Sequence, residues 1–224
     1  IIDYGVGQPK IFRSRGLLNE RIEISNSMFA AIATFIEQGI LHILGGLDHV
    51  LFVLCLVIGA QRLRGLVERI TGFTVGHTVT LIAGFLGFVP SGAWFVPLVE
   101  LGIAISIVYA ALLAIKSPGS DDQDRLRMFV VTTLIGLLHG FGFSFVLQEI
   151  LRIDSPNLWQ SLIAFNVGVE IGQLAIVLLI WPSLQLIRKI SESAWRYSCL
   201  TVAIACCAIA CYWIFERSLL LINV

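Results

Sequence analysis

Several apolar runs of about 20 residues constrain this chain more than any other feature. The chain is 57% hydrophobic and 13% charged, with a mean hydropathy of +0.89. A soluble domain usually carries about 25% charged residues, and about 20 apolar residues in a helix cross the hydrocarbon core of a bilayer. Because lipid cannot satisfy backbone polar groups, we expect an all-α, polytopic transmembrane helix bundle. The net charge of zero gives no indication of a nucleic-acid partner.

The apolar pattern predicts about six spans. Residues 27–61 are too long for one perpendicular helix at about 1.5 Å per residue, and Gly39, Gly45 and Gly46 are the candidate breaks. We therefore expect an interfacial or half-inserted helix around 28–40, followed by the first full span. The six predicted spans cover residues 41–60, 69–88, 94–115, 128–147, 159–183 and 197–215.

Both ends of the chain are predicted to lie outside this bundle. Residues 1–26 are polar and of mixed charge, and we interpret them as an extracytoplasmic tail or linker. Residues 27–217 form the predicted transmembrane helical domain, and residues 218–224 form a C-terminal tail. Because the chain begins with Ile1 rather than Met, we expect an upstream segment, such as a signal peptide and an exported domain.

Basic residues in the connecting loops predict the orientation. The loops at 61–70, 116–127 and 184–196 each carry three basic residues, whereas those at 89–93 and 148–158 carry one between them. Lys and Arg concentrate in cytoplasmic loops of membrane proteins. The three basic loops are therefore predicted to face the cytoplasm. Six spans then place both termini on the extracytoplasmic side of a membrane that we expect to be the bacterial inner membrane.

All the histidines of the chain fall within predicted spans. They are His42, His49, His77 and His139. Asp48 adjoins one of them inside an otherwise apolar stretch. An ionisable residue within a span is costly and is by default a functional-site hypothesis. The predicted topology places the histidines and the acids of the spans in one layer, from the middle of the membrane to its outer side. We therefore predict one site built from several helices.

Imidazole together with carboxylate suits first-row divalent metals, without choosing among zinc, nickel, cobalt, copper and iron. His49 is the leading ligand candidate, and Asp48 is either a ligand or the acceptor that orients a histidine N–H. The predicted metal ligands are His42, Asp48, His49, His77 and His139. Supporting or proton-relay roles are assigned to Glu100, Glu170, Asn166, Gln173 and Thr80. The two amides also fit purely structural helix–helix contacts.

Five blocks of the sequence resemble the signature of the HupE/UreJ family of membrane proteins. They are GILHILGGLDHVLF (39–52), FTVGHTVTL (73–81), Glu100 with IAIS (103–106), GLLHGFGF (136–143) and FNVGVEIGQ (165–173). Members of this family are assigned as nickel or cobalt permeases. The resemblance implies passage of a divalent metal, with His42, Asp48 and His49 as the first candidates for the ligand set.

Two functions are compatible with such a site. As a transporter, the protein would import nickel or cobalt, with the lipid bilayer, the metal ion and an upstream exported domain or periplasmic metal donor as partners. As an enzyme, it would be a zinc-type intramembrane hydrolase of a lipid or membrane-anchored peptide, with Glu100 or Glu170 as general base. The sequence has neither an HExxH nor a Gly-x-Ser-x-Gly motif, so transport is the leading expectation.

Overall fold

Helices make up most of the structure. The computed structural model describes residues 2–3, 10–11, 22–23, 28–60, 62–90, 92–116, 125–150 and 158–222, with side chains up to residue 144 in the segment from 125. The described helices are α1 (Met28–Gly45), α2 (Leu47–Ile58), α3 (Leu63–Phe85), α4 (Phe95–Lys116), α5 (Arg125–Ile150), α6 (Leu158–Ile190) and α7 (Glu192–Ile222). Before them, three two-residue strands pair antiparallel in chain order: β1 (Ile2–Asp3), β2 (Lys10–Ile11) and β3 (Ile22–Glu23).

Five of the described helices are long and apolar enough to cross a membrane, namely α1, α4, α5, α6 and α7. Helix α2 is apolar but has only 12 residues. Helix α3 has 23 residues, which is roughly 34 Å of helix, although its first turns carry charged side chains. The predicted all-α, polytopic helical bundle is confirmed. The assignment of residues 1–26 and 218–224 to tails outside it stays a prediction.

The segment 27–61 divides at Gly46, later than the division expected near residue 40. Gly46 has an extended backbone (φ −84°, ψ 102°) between α1 and α2, whereas Gly39 is helical and buried within α1. A Cβ at Gly39 would lie 2.1 Å from the carbonyl oxygen of Phe165, so this glycine serves the contact between α1 and α6. Helix α1 is therefore the longer of the two helices, and α2 is the short one.

Glycines allow two pairs of helices to pack backbone against backbone. A Cβ at Gly76 of α3 would lie 2.0 Å from the carbonyl oxygen of Thr133 on α5, and one at Gly84 would lie 2.2 Å from the Ser144 hydroxyl. From the first contact to the second, the residue numbers increase on both helices, so α3 and α5 run parallel. The predicted topology requires this, because α3 and α5 correspond to the second and fourth spans. Gly168 plays the same part between α6 and α1. Small residues permit this approach where apolar lipid supplies no driving force of its own.

Helix α2 lies at the centre of the bundle. It contacts α1, α3, α4, α6 and α7, and eight of its residues are buried: His49, Leu51, Phe52, Val53, Cys55, Leu56, Val57 and Ile58. Helices α4 and α7 pack beside it in opposite directions, because Glu100 near the start of α4 pairs with Arg217 near the end of α7. The first turn of α2 therefore carries Asp48 and His49 into the middle of the protein.

Candidate metal site

The four histidines meet around His49. The centre of its ring lies 4.6 Å from that of His42, 5.0 Å from that of His139 and 6.1 Å from that of His77. His49, His77 and His139 are each no more than 4% exposed. The shared layer predicted from the topology therefore corresponds, for the histidines, to direct proximity in space.

Four different helices position these rings. His42 lies in the last turn of α1 and His49 in the first turn of α2, while His77 and His139 lie in the middle of α3 and α5. The extended Gly46 turns the chain between the first two. A Cβ at Gly46 would lie 2.7 Å from His49 Nδ1 and 2.9 Å from the carbonyl oxygen of His42. Helices α1 and α2 can therefore approach this closely only because residue 46 is a glycine.

Three of the rings are oriented by hydrogen bonds at Nδ1. His49 Nδ1 lies 2.9 Å from Asp48 Oδ1, and His139 Nδ1 lies 3.1 Å from the carbonyl oxygen of Ile135. His77 Nδ1 lies 3.4 Å from Asn166 Oδ1. All three partners are acceptors, so each neutral ring is assigned its proton at Nδ1 and keeps a lone pair at Nε2. Asp48 is thus positioned to orient His49, and its two predicted roles, ligand or orienting acceptor, stay predictions.

The Nε2 atoms of all four histidines are buried and have no hydrogen-bond partner among the described residues. A buried polar atom without a partner is costly, and four of them in one cluster require an explanation. One ring nitrogen from each of His42, His49 and His77 lies within 4.8 Å of the other two. Imidazoles bound to one metal at about 2.1 Å hold their nitrogens roughly 3.4 Å apart, so small ring movements would close this set around a cation.

Phenylalanine rings form the walls of the cluster. The ring centre of Phe143 lies 4.0 Å from that of His42 and 4.9 Å from that of Phe165, on which it stacks. The ring centre of Phe73 lies 4.9 Å from that of His139. Phe52 closes the same side, 5.6 Å from His139. These four phenylalanines contact the histidine rings, and none of them was among the predicted site residues. Their signal was their position within the quoted sequence blocks, where each occurs within a few residues of a predicted site residue.

The remaining polar candidates occupy different places. Asn166 belongs to the site, because its amide also donates to the Leu162 carbonyl oxygen at 2.8 Å and so turns its own oxygen towards His77. Thr80 donates to the Gly76 carbonyl oxygen at 3.2 Å, within the contact between α3 and α5. It therefore supports the helix that carries His77, without touching the ring through a hydrogen bond.

Glu170 and Gln173 form a separate polar group one turn along α6. Glu170 accepts a hydrogen bond of 2.9 Å from Thr71 and another from Thr74. Thr74 also lies 3.0 Å from Gln173 Oε1. In the described part of the chain neither Glu170 nor Gln173 hydrogen-bonds a histidine. Their predicted supporting roles can therefore act on the site only through α3 and α6.

Glu100 lies on the other side of the site. Its carboxylate pairs with Arg217 at 2.8 Å and lines a cavity that also contains Asp48. Arg217 was not among the predicted site residues, and its pairing with Glu100 joins α4 to α7. With Glu100 and Glu170 both held by other groups, neither general base proposed for a hydrolase hydrogen-bonds the cluster in the described residues.

Comparison with known proteins agrees with the motifs. A family model described as HupE / UreJ protein matches residues 18–217. Searches of curated proteins and of solved structures found no match. The matched region contains helices α1 to α6, most of α7 and every residue of the histidine cluster. The chain is therefore an integral membrane protein of the HupE/UreJ family.

Proposed function

We propose that this protein imports a divalent transition metal, nickel or cobalt, through the histidine cluster. The observation that carries the proposal is the set of four buried Nε2 atoms without partners. The family is associated with nickel and cobalt uptake, and imidazole nitrogen is a ligand that both ions accept. The proposed ligands are His42, His49, His77 and His139, with Asp48 and Asn166 orienting two of the rings.

The low negative charge of the site favours reversible binding of the transported metal ion. Neutral imidazoles supply strong ligands without charge, and Asp48 is the one carboxylate that hydrogen-bonds a described member of the cluster. A divalent ion is therefore only partly neutralised. Binding requires unprotonated rings, so loading depends on pH and competes with protons. These features fit reversible binding better than a permanently held structural metal.

Phe52 packs against His139 and also lines a second, smaller cavity. Beyond Phe52 lies a cavity of only about 20 Å³, lined by Cys55, Arg69 and Thr132 among others. This is room for one or two waters. Release towards that side requires Phe52 to move. Gly46 provides a joint at which α1, with His42, can separate from α2, with His49, and so reduce the number of ligands.

Reconstituted protein tests the proposal directly. Purified protein in liposomes is expected to take up nickel or cobalt in preference to zinc and copper, and His49→Ala is expected to abolish uptake. Glu37→Gln is the control, because Glu37 lies on α1, the helix that carries His42, and is exposed. Bound metal is measured in parallel on detergent-solubilised protein by elemental analysis. Stoichiometric binding without uptake of any of the four ions would overturn the permease proposal.

The orientation is a second part of the proposal. We place the protein in the bacterial inner membrane with both termini extracytoplasmic. The loops at 61–70, 116–127 and 184–196 carry most of the Lys and Arg residues of the loops and are therefore assigned to the cytoplasm. A reporter that is active only outside the cytoplasm, fused after Val224, is expected to be active. A matched fusion in the loop 116–127 is expected to be inactive. The reverse pattern would refute the orientation.

A further inference from the structure

A cavity of about 370 Å³ lies against the histidine cluster, between the α1–α2 joint, α4 and α7. Its polar lining comes from Asp48, Glu100 and Arg217, and Trp213 and Ala104 contribute apolar walls. The six waters of a hydrated divalent cation occupy about 180 Å³, at about 30 Å³ each. The cavity therefore has room for such an ion before it loses its waters.

Asp48 belongs to both the cavity and the cluster. Its side chain is 30% exposed, and its Oδ1 lies 2.9 Å from His49 Nδ1. Gly46 also lines the cavity, and a Cβ there would lie 3.0 Å from the same carboxylate oxygen. The wall between the cavity and the imidazoles is thus formed by a glycine backbone and a carboxylate. A cation in the cavity would lie next to the ligands of the cluster.

Arg217 joins two carboxylates at the cavity. Its Nε lies 2.8 Å from Glu100 Oε2, and its Nη1 lies 2.9 Å from Glu216 Oε2. The exposed fractions are 27% for Arg217, 40% for Glu100 and 45% for Glu216. Ion pairs with this exposure are weak and can be exchanged readily. If a cation takes Glu100, Arg217 can retain Glu216 and does not lose its counter-charge.

We propose that this cavity is the access route for the hydrated divalent cation, with Glu100 as its capture carboxylate and Arg217 as a displaceable counter-ion. The inference deepens the proposed function and rests on it, in that the histidine cluster must take a divalent cation. In the resting protein Arg217 masks Glu100. An arriving cation displaces Arg217 towards Glu216, and passes by Asp48 to the histidines.

The test measures rates of cobalt binding to detergent-solubilised protein by stopped-flow competition with a metal indicator. Glu100→Gln is expected to lower the association rate constant about tenfold, a size typical of lost electrostatic focusing. Arg217→Gln is expected to raise it. All variants are expected to keep the wild-type equilibrium affinity, because the cluster itself is unchanged and dissociation changes in proportion. That unchanged affinity also shows that each variant is folded.

Glu216→Gln separates the exchange mechanism from a general effect of charge. Without Glu216, Glu100 is the one carboxylate among the described residues that pairs with Arg217, so association is expected to slow several-fold. In the Arg217→Gln background the same Glu216→Gln change is expected to have no effect. If Glu216→Gln acted only by removing a negative charge, cobalt association would slow by the same factor with and without Arg217. Glu192→Gln is the matched control, because Glu192 also pairs with arginines but at the opposite end of α7.

The outcomes distinguish this inference from the proposed function. If wild-type protein binds and transports neither cobalt nor nickel, the proposed function fails. If wild-type protein binds cobalt but Glu100→Gln associates at the wild-type rate, the access route is refuted and the histidine site stands. Equal slowing by Glu216→Gln with and without Arg217 would refute the exchange at Arg217. A loss of equilibrium affinity in Glu100→Gln as large as that of His49→Ala would instead make Glu100 a ligand of the bound ion.

Discussion

The substitution Asp48→Asn tests the assignment of Asp48 as an orienting group. The carboxylate oxygen lies 2.9 Å from His49 Nδ1, and its side chain is 30% exposed to the neighbouring cavity. An asparagine at this position keeps an acceptor oxygen but loses the negative charge. His49 should therefore keep its ring orientation, while its Nε2 becomes a weaker donor to metal.

The expected effect follows from this geometry. Loss of an outer-sphere partner of a metal-bound histidine typically lowers metal affinity 10- to 100-fold. This corresponds to about 1.4 to 2.7 kcal/mol of binding free energy. Asp48→Ala removes the acceptor as well as the charge, and should weaken binding further than Asp48→Asn does. Neither substitution removes a ligand, so metal should still bind stoichiometrically at high concentration.

Competition between the solubilised protein and a chelator of known affinity measures this effect for nickel and cobalt. An affinity for Asp48→Asn within threefold of wild type would show that the carboxylate does not strengthen His49. A loss of binding well beyond 100-fold, equal to that of His49→Ala, would make Asp48 a direct ligand. Equal affinities for the Asn and Ala variants would show that the hydrogen bond to Nδ1 has no role.

Two further predictions concern the scaffold and the second oriented ring. Gly76→Ala should lower the free energy of unfolding by about 1 to 3 kcal/mol, because its Cβ would lie 2.0 Å from the Thr133 carbonyl oxygen. Gly65→Ala should instead stabilise α3 by about 0.5 to 1 kcal/mol, because no atom lies within 4 Å of the added Cβ. Unfolding in detergent measures the stability of both variants. Equal effects of the two substitutions would contradict the packing role of Gly76. Asn166→Ala should lower metal affinity about tenfold, because His77 loses the acceptor that orients its ring. Asn166→Asp keeps an acceptor oxygen and should restore the affinity. Chelator competition measures both variants, and wild-type affinity in Asn166→Ala would contradict the prediction.

The sequence predicted the class of protein and the candidate residues of the site for physical reasons that are local. Apolar runs of about 20 residues leave a helical bundle as the available fold, because lipid cannot satisfy exposed backbone groups. Histidines in such runs are costly unless they serve a function, which selected His42, His49, His77 and His139 before any contact was known. The parallel direction of α3 and α5 also followed from the alternation of the loops.

Other features depended on contacts between distant segments, which residue type does not reveal. Gly39 and Gly46 are both glycines in one apolar run, yet one packs on α6 and the other breaks the helix. Glu100 and Glu170 looked equivalent as acids within spans. Tertiary structure pairs the first with Arg217 and the second with threonines of α3.

The sequence by itself thus determined a membrane-embedded helical bundle and predicted that its imidazoles lie at a common depth. Only the tertiary structure decided which atoms of those imidazoles are free. The Nδ1 atoms of His49, His77 and His139 meet acceptors from the chain, and the Nε2 atoms of all four rings are left without partners in the described structure. The tautomer of a histidine is set by its hydrogen-bond partner, and the partner of His77 lies 89 residues away along the chain.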